Sequence, residues 1–335
     1  MPEVIDVLPY FNAPISPITT NGRLKIHTAD ARRYVNASTR YMDVIVADLF
    51  HPARDGAGFL YTIEHFTAIR SLLNPDWIFC QWLPLYQMDL GVLRIIIRTF
   101  MQVFPHGKAV LATYSLQTPI IGLIASKDDA LYKSNFMSHR VNDDALLRKL
   151  ASLRLTNTYS LFGAFIASSR DLIDFAGPGP LNTDDLPIVI FKAPRFLYCE
   201  KDRNGIAYER PFSLLDYFHP SPEDILQPDP TKDRKDIYKH LKAYWSARDK
   251  FLHLGIGVKN TGDVDQMLAQ IKAPLLAIVR ESPDFEAAYN PLLAMAIQLN
   301  RINPEAARGL LLELQAADPI RQDAKELLNQ MGANF

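Results

Sequence analysis

Strand-like and helix-like segments alternate between Arg23 and Ser126, and this alternation restricts the fold more than any other feature of the chain. Short apolar runs, which suit strands buried on both faces, are separated by amphipathic stretches of helical period. The predicted strands are Arg23–Thr28, Asp43–Leu49, Ile78–Leu83, Val110–Tyr114 and Ile120–Ala125, and the predicted helices are Thr62–Leu73 and Asp89–Phe104. This order predicts βαβ units and therefore an α/β fold with a mostly parallel sheet.

The remainder of the chain is mainly helical in pattern. Residues 142–176 are predicted as helices, and Leu186–Lys192 as one further strand. The sequence divides into a first domain at 1–195, a linker rich in Pro, Asp and Arg at 196–232, and a helical tail at 233–335.

Within the tail, Pro283 and Pro319 open two similar segments that are 36 residues apart. This spacing is close to the period of tetratricopeptide helix pairs. A tetratricopeptide-like array and an ordinary helical bundle both remain open.

Composition excludes several classes of protein. The chain carries 36 Lys and Arg against 37 Asp and Glu, so it lacks the basic surplus of a sequence-independent nucleic-acid binder. With 48% hydrophobic residues it is not a disordered chain. The sequence has no secretory signal at its start and no apolar run of the roughly 18 residues that a membrane span needs. Its two cysteines fit a reducing compartment, and we expect a cytoplasmic protein.

Three kinds of chemistry lack their sequence signals. The eight histidines show no pairing typical of a metal site, and no Gly-x-Ser-x-Gly nucleophile motif occurs. No glycine-rich turn has the full dinucleotide-binding pattern.

What remains is a set of polar side chains at the ends of three predicted strands: Asp30, Asp48 and Gln81. Ligands of open α/β sheets bind at the carboxyl ends of the strands, so these side chains could converge on one crevice. In the alternative interpretation, each carboxylate only caps the turn or helix that follows it.

Four segments, which occur in the same order as in the family, resemble the spermidine/spermine synthase domain of the polyamine aminopropyltransferases. Thr28–Ala31 is similar to the family's adenine-binding turn, and Asp43–Pro52 to its strand and catalytic loop. Gly58–Tyr61, with the following His65-Phe66, resembles the start of the next helix, and Phe79–Gln81 resembles the strand ending in Gln. The resemblance implies a Rossmann-like, class I methyltransferase-like sheet.

Residues 82–195 resemble a bacterial subgroup of the same family, on the evidence of Pro84–Gln87 and Leu181–Asp185. In that subgroup the domain precedes a helical, tetratricopeptide-like tail and often follows a membrane region. A protein partner of this tail belongs to one alternative, in which the fold serves as an interaction module.

The family's reaction moves an aminopropyl group from decarboxylated S-adenosylmethionine, a co-substrate and not a resident cofactor, to a polyamine. By this resemblance Asp48 orients the attacking amine and accepts its proton. Asp30 and the backbone of Ala31 bind the adenine, while Gln81 and Tyr61 line the substrate pocket. No metal and no nucleic acid is implied.

The sequence departs from the family pattern in two ways. His51 stands where the family has a second acidic residue, which weakens the case for putrescine and leaves open a base, a neutral hydrogen-bonding group or a turn residue. The chain also begins after the region that carries the family's glycine-rich turn, so the domain is expected to be N-terminally incomplete.

The missing strands have two expected consequences. The chain alone is predicted to bind methylthioadenosine weakly or not at all, and its open sheet edge favours a marginal monomer, a homodimer or a rearranged edge. Two alternatives to polyamine synthesis therefore remain: a non-catalytic interaction module on the same fold, and an adenosylmethionine-type transferase with another acceptor.

Overall fold

The computed structural model describes residues 24–129, 131–133, 144–198, 212–227, 234–258 and 263–333. It also describes four residues near the start, Glu3, Ile5, Val7 and Tyr10, all of which are helical. Cys199 and parts of the predicted linker, residues 199–211 and 228–233, lie outside the described residues.

A five-stranded sheet with the order β1-β2-β4-β3-β6 organises the first part of the chain. Its strands are β1 (Met42–Ala47), β2 (Leu73–Pro84), β3 (Lys108–Leu111), β4 (Ile120–Ala125) and β6 (Phe165–Ala167). Two short strands, β5 (Tyr132–Lys133) and β7 (Leu226–Gln227), form a separate parallel pair.

The prediction of an α/β fold with a helical C-terminal region is confirmed. Strands β1, β2 and β3 run in one direction and β4 and β6 in the other, so the sheet is mixed. Parallel pairing within this sheet joins only β1 to β2 among the described strands. The predicted βαβ pattern does not extend to β3 and β4, because the eight residues between them are too few for a parallel crossover.

Twelve helices are described over their full bounds. They are α1 (Ala31–Ala37), α2 (Ile63–Leu72), α3 (Leu90–Val103), α4 (Asp144–Ser152), α5 (Thr158–Phe162), α6 (Ser169–Ala176), α7 (Ile188–Tyr198), α8 (Arg234–Gly257), α9 (Val264–Glu281), α10 (Glu286–Leu299), α11 (Pro304–Ala317) and α12 (Asp323–Ala333). Short 3₁₀ segments occur at Ala57–Tyr61, Leu85–Gln87, Phe212–Tyr217 and Pro222–Asp224.

Three predictions of local structure are wrong. The described part of Arg23–Thr28 forms no strand. Leu186–Lys192 lies largely in helix α7, whose start is fixed by the Asn182 side chain accepting a hydrogen bond from the amide of Val189 at 3.1 Å. The helical prediction for 142–176 missed β6, because a three-residue strand depends on pairing with β3 and not on its own sequence period.

One face of the sheet packs against α2, α3 and α6. Four phenylalanines form the centre of this core, with ring centroids of neighbouring pairs 5.1 to 6.2 Å apart: Phe66, Phe79, Phe100 and Phe104. The described part of the predicted linker also joins this core through Leu214, Leu215 and Phe218. Burial of these apolar side chains supplies most of the driving force for folding.

The other face is only partly covered. Side chains of β3, β4 and β6 pack against the C-terminal helices, and Arg248 of α8 donates to the carbonyls of Gly163 and Phe165 at 2.8 and 2.5 Å. The same face at β1 is open, since the side chains of Val44 and Val46 are 55% and 57% exposed.

The C-terminal helices show the 36-residue offset in three dimensions. Ser282 and Asp318 are the buried C-terminal caps of α9 and α11, and each is followed by a proline and then by a helix. Ala288 in α10 and Ala324 in α12, again 36 residues apart, are fully buried. Among the described residues no helix is both long and apolar enough to cross a membrane.

Candidate functional site

Asp30 lies at the start of α1, where it caps the helix. One carboxylate oxygen, Oδ1, accepts a hydrogen bond from the amide of Arg33 at 2.8 Å. This is the capping role that the sequence left open for this residue. A carboxylate offers about four lone-pair positions, so capping leaves Asp30 able to accept further hydrogen bonds.

Asp30 and Ala31 line a cavity of about 530 Å³, within the range of small-molecule sites. Its wall continues through Arg32, residues 54–57, Phe59, Leu60 and Asp184. The cavity thus combines carboxylates and guanidinium groups. Asp48, His51, Tyr61 and Gln81 are not part of its wall.

Asp48 follows β1 directly and is exposed to solvent. Its Oδ1 accepts a hydrogen bond from the amide of Leu49 at 2.8 Å, and no other hydrogen bond to this carboxylate occurs in the described part of the chain. The loop that begins at Asp48 continues into Arg54 and Asp55, which belong to the cavity wall. Asp48 and the cavity therefore lie at the two ends of one short loop.

His51 forms a turn inside that loop. Its Nδ1 accepts a hydrogen bond from the amide of Ala53 at 3.2 Å, which assigns the proton of the neutral ring to Nε2. Partial burial, followed by the charge of Arg54, lowers the pKa of His51. At neutral pH the ring is thus uncharged and can donate from Nε2.

Tyr61 is hydrogen-bonded to the backbone of the same loop. Its side chain is buried, and its hydroxyl donates to the carbonyl of Phe50 at 2.6 Å. Burial raises the pKa of Tyr61, so the hydroxyl keeps its proton. The structure gives Tyr61 a supporting contact to the loop and not a place in the cavity wall.

Gln81 neighbours Ala47 across the parallel pair of β1 and β2. Its side chain is buried, and its Nε2 donates to the carbonyl of Trp82 at 3.0 Å. Its Oε1 is buried without a hydrogen-bond partner among the described residues. Gln81 thus sits one strand away from Asp48, on the core side of the sheet.

An ion pair that closes one side of the cavity was not predicted from the sequence. Arg32 pairs with Asp184, donates to the carbonyl of Phe59 at 3.2 Å and lies 5.4 Å from the centroid of the Phe59 ring. Burial raises the pKa of Asp184, but hydrogen bonds from Arg32 and Thr62 outweigh it, so the net pKa is lowered. Asp184 therefore stays ionised and holds Arg32 at the wall.

Asn182, two residues before Asp184, connects this part of the chain to the segment that contains Gly58. It is fully buried, its Nδ2 donates to the carbonyl of Gly58 at 3.1 Å, and its amide donates to the hydroxyl of Thr99 at 2.9 Å. The motif Leu181–Asp185 resembles the bacterial subgroup, but its spacing does not predict the contacts of Asn182 with Gly58 and Thr99. Residues 182–184 therefore contact both Arg32 of the cavity wall and Gly58, which lies between the wall residues Ala57 and Phe59.

The family comparison agrees with this placement. Residues 3–133 match the family model of the spermine/spermidine synthase domain. Over these residues the chain is similar to a spermine/spermidine synthase domain. They include Asp30, the wall residues between Arg54 and Leu60, Asp48 and Gln81. No curated protein matches the chain.

The domain supports an aminopropyltransferase-like function in general terms, and its family uses decarboxylated S-adenosylmethionine as a substrate. Among the described residues no group of three His, Cys, Asp or Glu side chains could hold a metal ion. The cavity wall and the adjoining loop offer carboxylates, guanidinium groups and one imidazole.

Proposed function

We propose that the chain transfers an aminopropyl group from decarboxylated S-adenosylmethionine to a polyamine. One observation carries the proposal: within the synthase domain, Asp30 and Ala31 line a cavity whose wall continues, through a single loop, to the exposed carboxylate of Asp48. Nucleotide and amine sites must be adjacent for a transfer reaction, so the proposal requires the loop from Asp48 to Arg54 to bring the Asp48 carboxylate to the cavity when the substrates bind.

The reaction needs little chemistry from the protein. The amine lone pair attacks the carbon next to the sulfonium, a C–N bond forms, and the C–S bond breaks with its electron pair moving to sulfur. Methylthioadenosine leaves as a neutral thioether, so no acid is required. The amine must first lose a proton, because a free alkylamine has a pKa of about 10.4.

Asp48 is the residue proposed to orient that amine and take up the proton. One of its oxygens is engaged by the amide of Leu49, while the other oxygen is free among the described contacts. A carboxylate within hydrogen-bond reach of the amine can act as a general base. Asp30 is proposed to accept a hydrogen bond from the adenine amino group with its remaining lone pairs.

His51 favours a second candidate, a transferase with another acceptor. A diammonium substrate is best held by two negative charges, but the lowered pKa of His51 leaves this position uncharged and able to donate from Nε2. An acceptor with one amine and one hydrogen-bond acceptor would suit Asp48 and His51 together.

The experiment follows product formation by mass spectrometry, with putrescine, spermidine and monoamines as acceptors. Co-substrate is supplied at millimolar concentration, since nucleotide binding is predicted to be weak. The variant Asp48→Asn should reduce transfer by about 100-fold or more, the usual contribution of a general base, and leave nucleotide binding nearly unchanged. Asp76→Asn, an exposed change away from the cavity, is the matched control.

A chain that transfers aminopropyl groups with no dependence on Asp48 would remove that residue from its role. A folded chain that neither binds methylthioadenosine nor forms product with any amine would overturn the proposed function. Product formed only from monoamines would favour the second candidate.

A further inference from the structure

Helix α1 carries part of the cavity wall but has little attachment of its own to the core. Ala31 and Arg32 of this helix line the cavity, and so does Asp30, which caps its start. None of its seven residues is buried, and residues 24–30, which precede it, are all exposed. A helix this short is unstable in isolation, so its position depends on contacts with the rest of the chain.

Arg32 supplies the polar part of those contacts. It pairs with Asp184, donates to the carbonyl of Phe59 at 3.2 Å and lies 5.4 Å from the centroid of the Phe59 ring. In the described part of the chain, no other side chain between residues 24 and 40 makes a hydrogen bond, ion pair or ring contact outside that segment. Val35, three residues further along the helix, adds a partly buried apolar contact with the core. Without Arg32, α1 would be attached mainly through Val35.

Both partners of Arg32 are themselves held in place. The amide of Asp184 donates to Oε2 of Glu64 at 3.0 Å. The carbonyl of Phe59 also accepts a hydrogen bond from the hydroxyl of Thr62 at 3.1 Å, and Thr62 is fully buried. The two attachment points of α1 therefore belong to segments that the rest of the domain fixes.

We propose that Arg32 is a positioning residue for the nucleotide site, because it holds α1 against the domain and so keeps Asp30 and Ala31 at the cavity wall. The role assigned to the nucleotide rests on the proposed function. Apparent affinity falls in proportion to the fraction of molecules whose site is in place. Asp184, which is 152 positions from Arg32, thereby sets the nucleotide affinity through the position of α1.

Hydrogen exchange of the full chain tests the attachment of α1 without any ligand. Arg32→Gln should speed the exchange of amides in residues 31–37 about tenfold, because the helix leaves its attachment points more often. The amides of α2 should exchange as in the wild type. Arg33→Gln is the matched control, since it makes the same change at the next position, where the side chain is exposed.

Transfer kinetics test the effect on the nucleotide site. Arg32→Gln should raise the KM for decarboxylated S-adenosylmethionine about tenfold and change kcat much less, because saturating co-substrate favours molecules with α1 in place. Asp184→Asn should give a similar rise, and the double variant should add little to it, since both changes remove the same contact. Arg32→Lys keeps the charge but not the forked geometry, so its KM should be intermediate.

Equal exchange of α1 in the wild type and in Arg32→Gln would overturn the proposal. So would faster exchange with an unchanged KM, or fully additive effects of the changes at positions 32 and 184, which would indicate two independent contacts with the ligand. A wild-type chain that forms no product and does not bind methylthioadenosine would overturn the proposed function. The exchange of α1 would still decide whether Arg32 holds the helix in place.

Discussion

At the scale of single residues, the site depends on groups that hold others in position. Tyr61 is the clearest case, because its buried hydroxyl reaches the backbone of the loop that carries Asp48. Asp184 does the same for Arg32 at the cavity wall. These contacts fix the loop and the wall before any ligand arrives, which is how a weakly constrained surface loop becomes a defined site.

The change Tyr61→Phe removes one hydrogen bond and leaves the ring in the core. The carbonyl of Phe50 then loses its partner, so we expect the free energy of unfolding to fall by about 1 kcal/mol. Urea denaturation measures this. Tyr217→Phe, an exposed tyrosine, is the control and should change stability by only a few tenths of a kcal/mol. Equal effects of the two changes would contradict the supporting role of Tyr61.

His65 gives the chain a specific sensitivity to acid. Burial, followed by the charge of Arg32, lowers the pKa of His65 to about 4. The unfolded chain binds a proton at this residue near pH 6.5, whereas the folded chain does not, so its contribution is present above pH 6.5 and lost as pH falls toward 4.

We therefore expect His65→Gln to flatten the decline of stability between pH 6.5 and pH 4. Denaturation series at several pH values compare the variant with wild type. His219→Gln changes an exposed histidine and should leave the wild-type decline in place. A variant of His65 with an unchanged decline would assign the acid sensitivity to other groups.

At the scale of elements, the contact of α8 with β6 joins the helical region to the sheet. Arg248 is almost completely buried there, and its guanidinium donates to two carbonyls and pairs with Asp249 at 2.8 Å. A buried charge is tolerated when it is paired and hydrogen-bonded, and Arg248 meets this condition through its Nε and Nη1.

Arg248→Ala should therefore lower the free energy of unfolding by about 3 kcal/mol or more, because the carbonyls of Gly163 and Phe165 lose their donor and a cavity forms. Chemical denaturation followed by far-ultraviolet circular dichroism detects this change. The exposed Arg308→Ala is the matched control, with an expected effect within about 0.5 kcal/mol. A small effect at position 248 would show that α8 is held by its apolar contacts alone.

Elements with a strong period of their own were predictable from the sequence, and those that depend on distant partners were not. Strands β1 and β4 and helices α2 and α3 agree with their predicted segments because their apolar spacing alone specifies them. The start of α7 depends on Asn182, and β6 depends on β3, so neither could be read from a local window.

The same distinction applies to the candidate site. Asp30 was predictable because a carboxylate after an apolar run and before a helix is a local signal. The Arg32–Asp184 pair joins residues 152 positions apart, and no single-sequence pattern connects them. The roles proposed for Asp48, His51 and Gln81 stay predictions until transfer is measured.

At the scale of the whole molecule, the open face at β1 dominates the expected behaviour. Val44 and Val46 expose more than half of their side chains at the end of the sheet, beside the exposed Tyr41 and Trp77. Apolar surface of this kind on a strand favours association with another chain.

We expect the elution volume of the chain in gel filtration to decrease as its concentration rises. Val46→Lys should reduce this association, because a charge on an exposed strand disfavours pairing at the edge. Thr67→Lys, an exposed position on α2, is the control. A wild-type chain that elutes as a monomer at every concentration would contradict the expected association.

The close approach of Gly58 to Ile190 has a consequence for the order in which this protein is made. A Cβ atom at position 58 would lie 2.5 Å from Cγ1 of Ile190, so the two segments fit together with no space between them. Ile190 leaves the ribosome 132 residues after Gly58. The segment around Gly58, like the pocket wall that Asp184 completes, can thus be packed only after residues 184–190 have been made, and a nascent chain halted before that point would expose this segment without its packing partner.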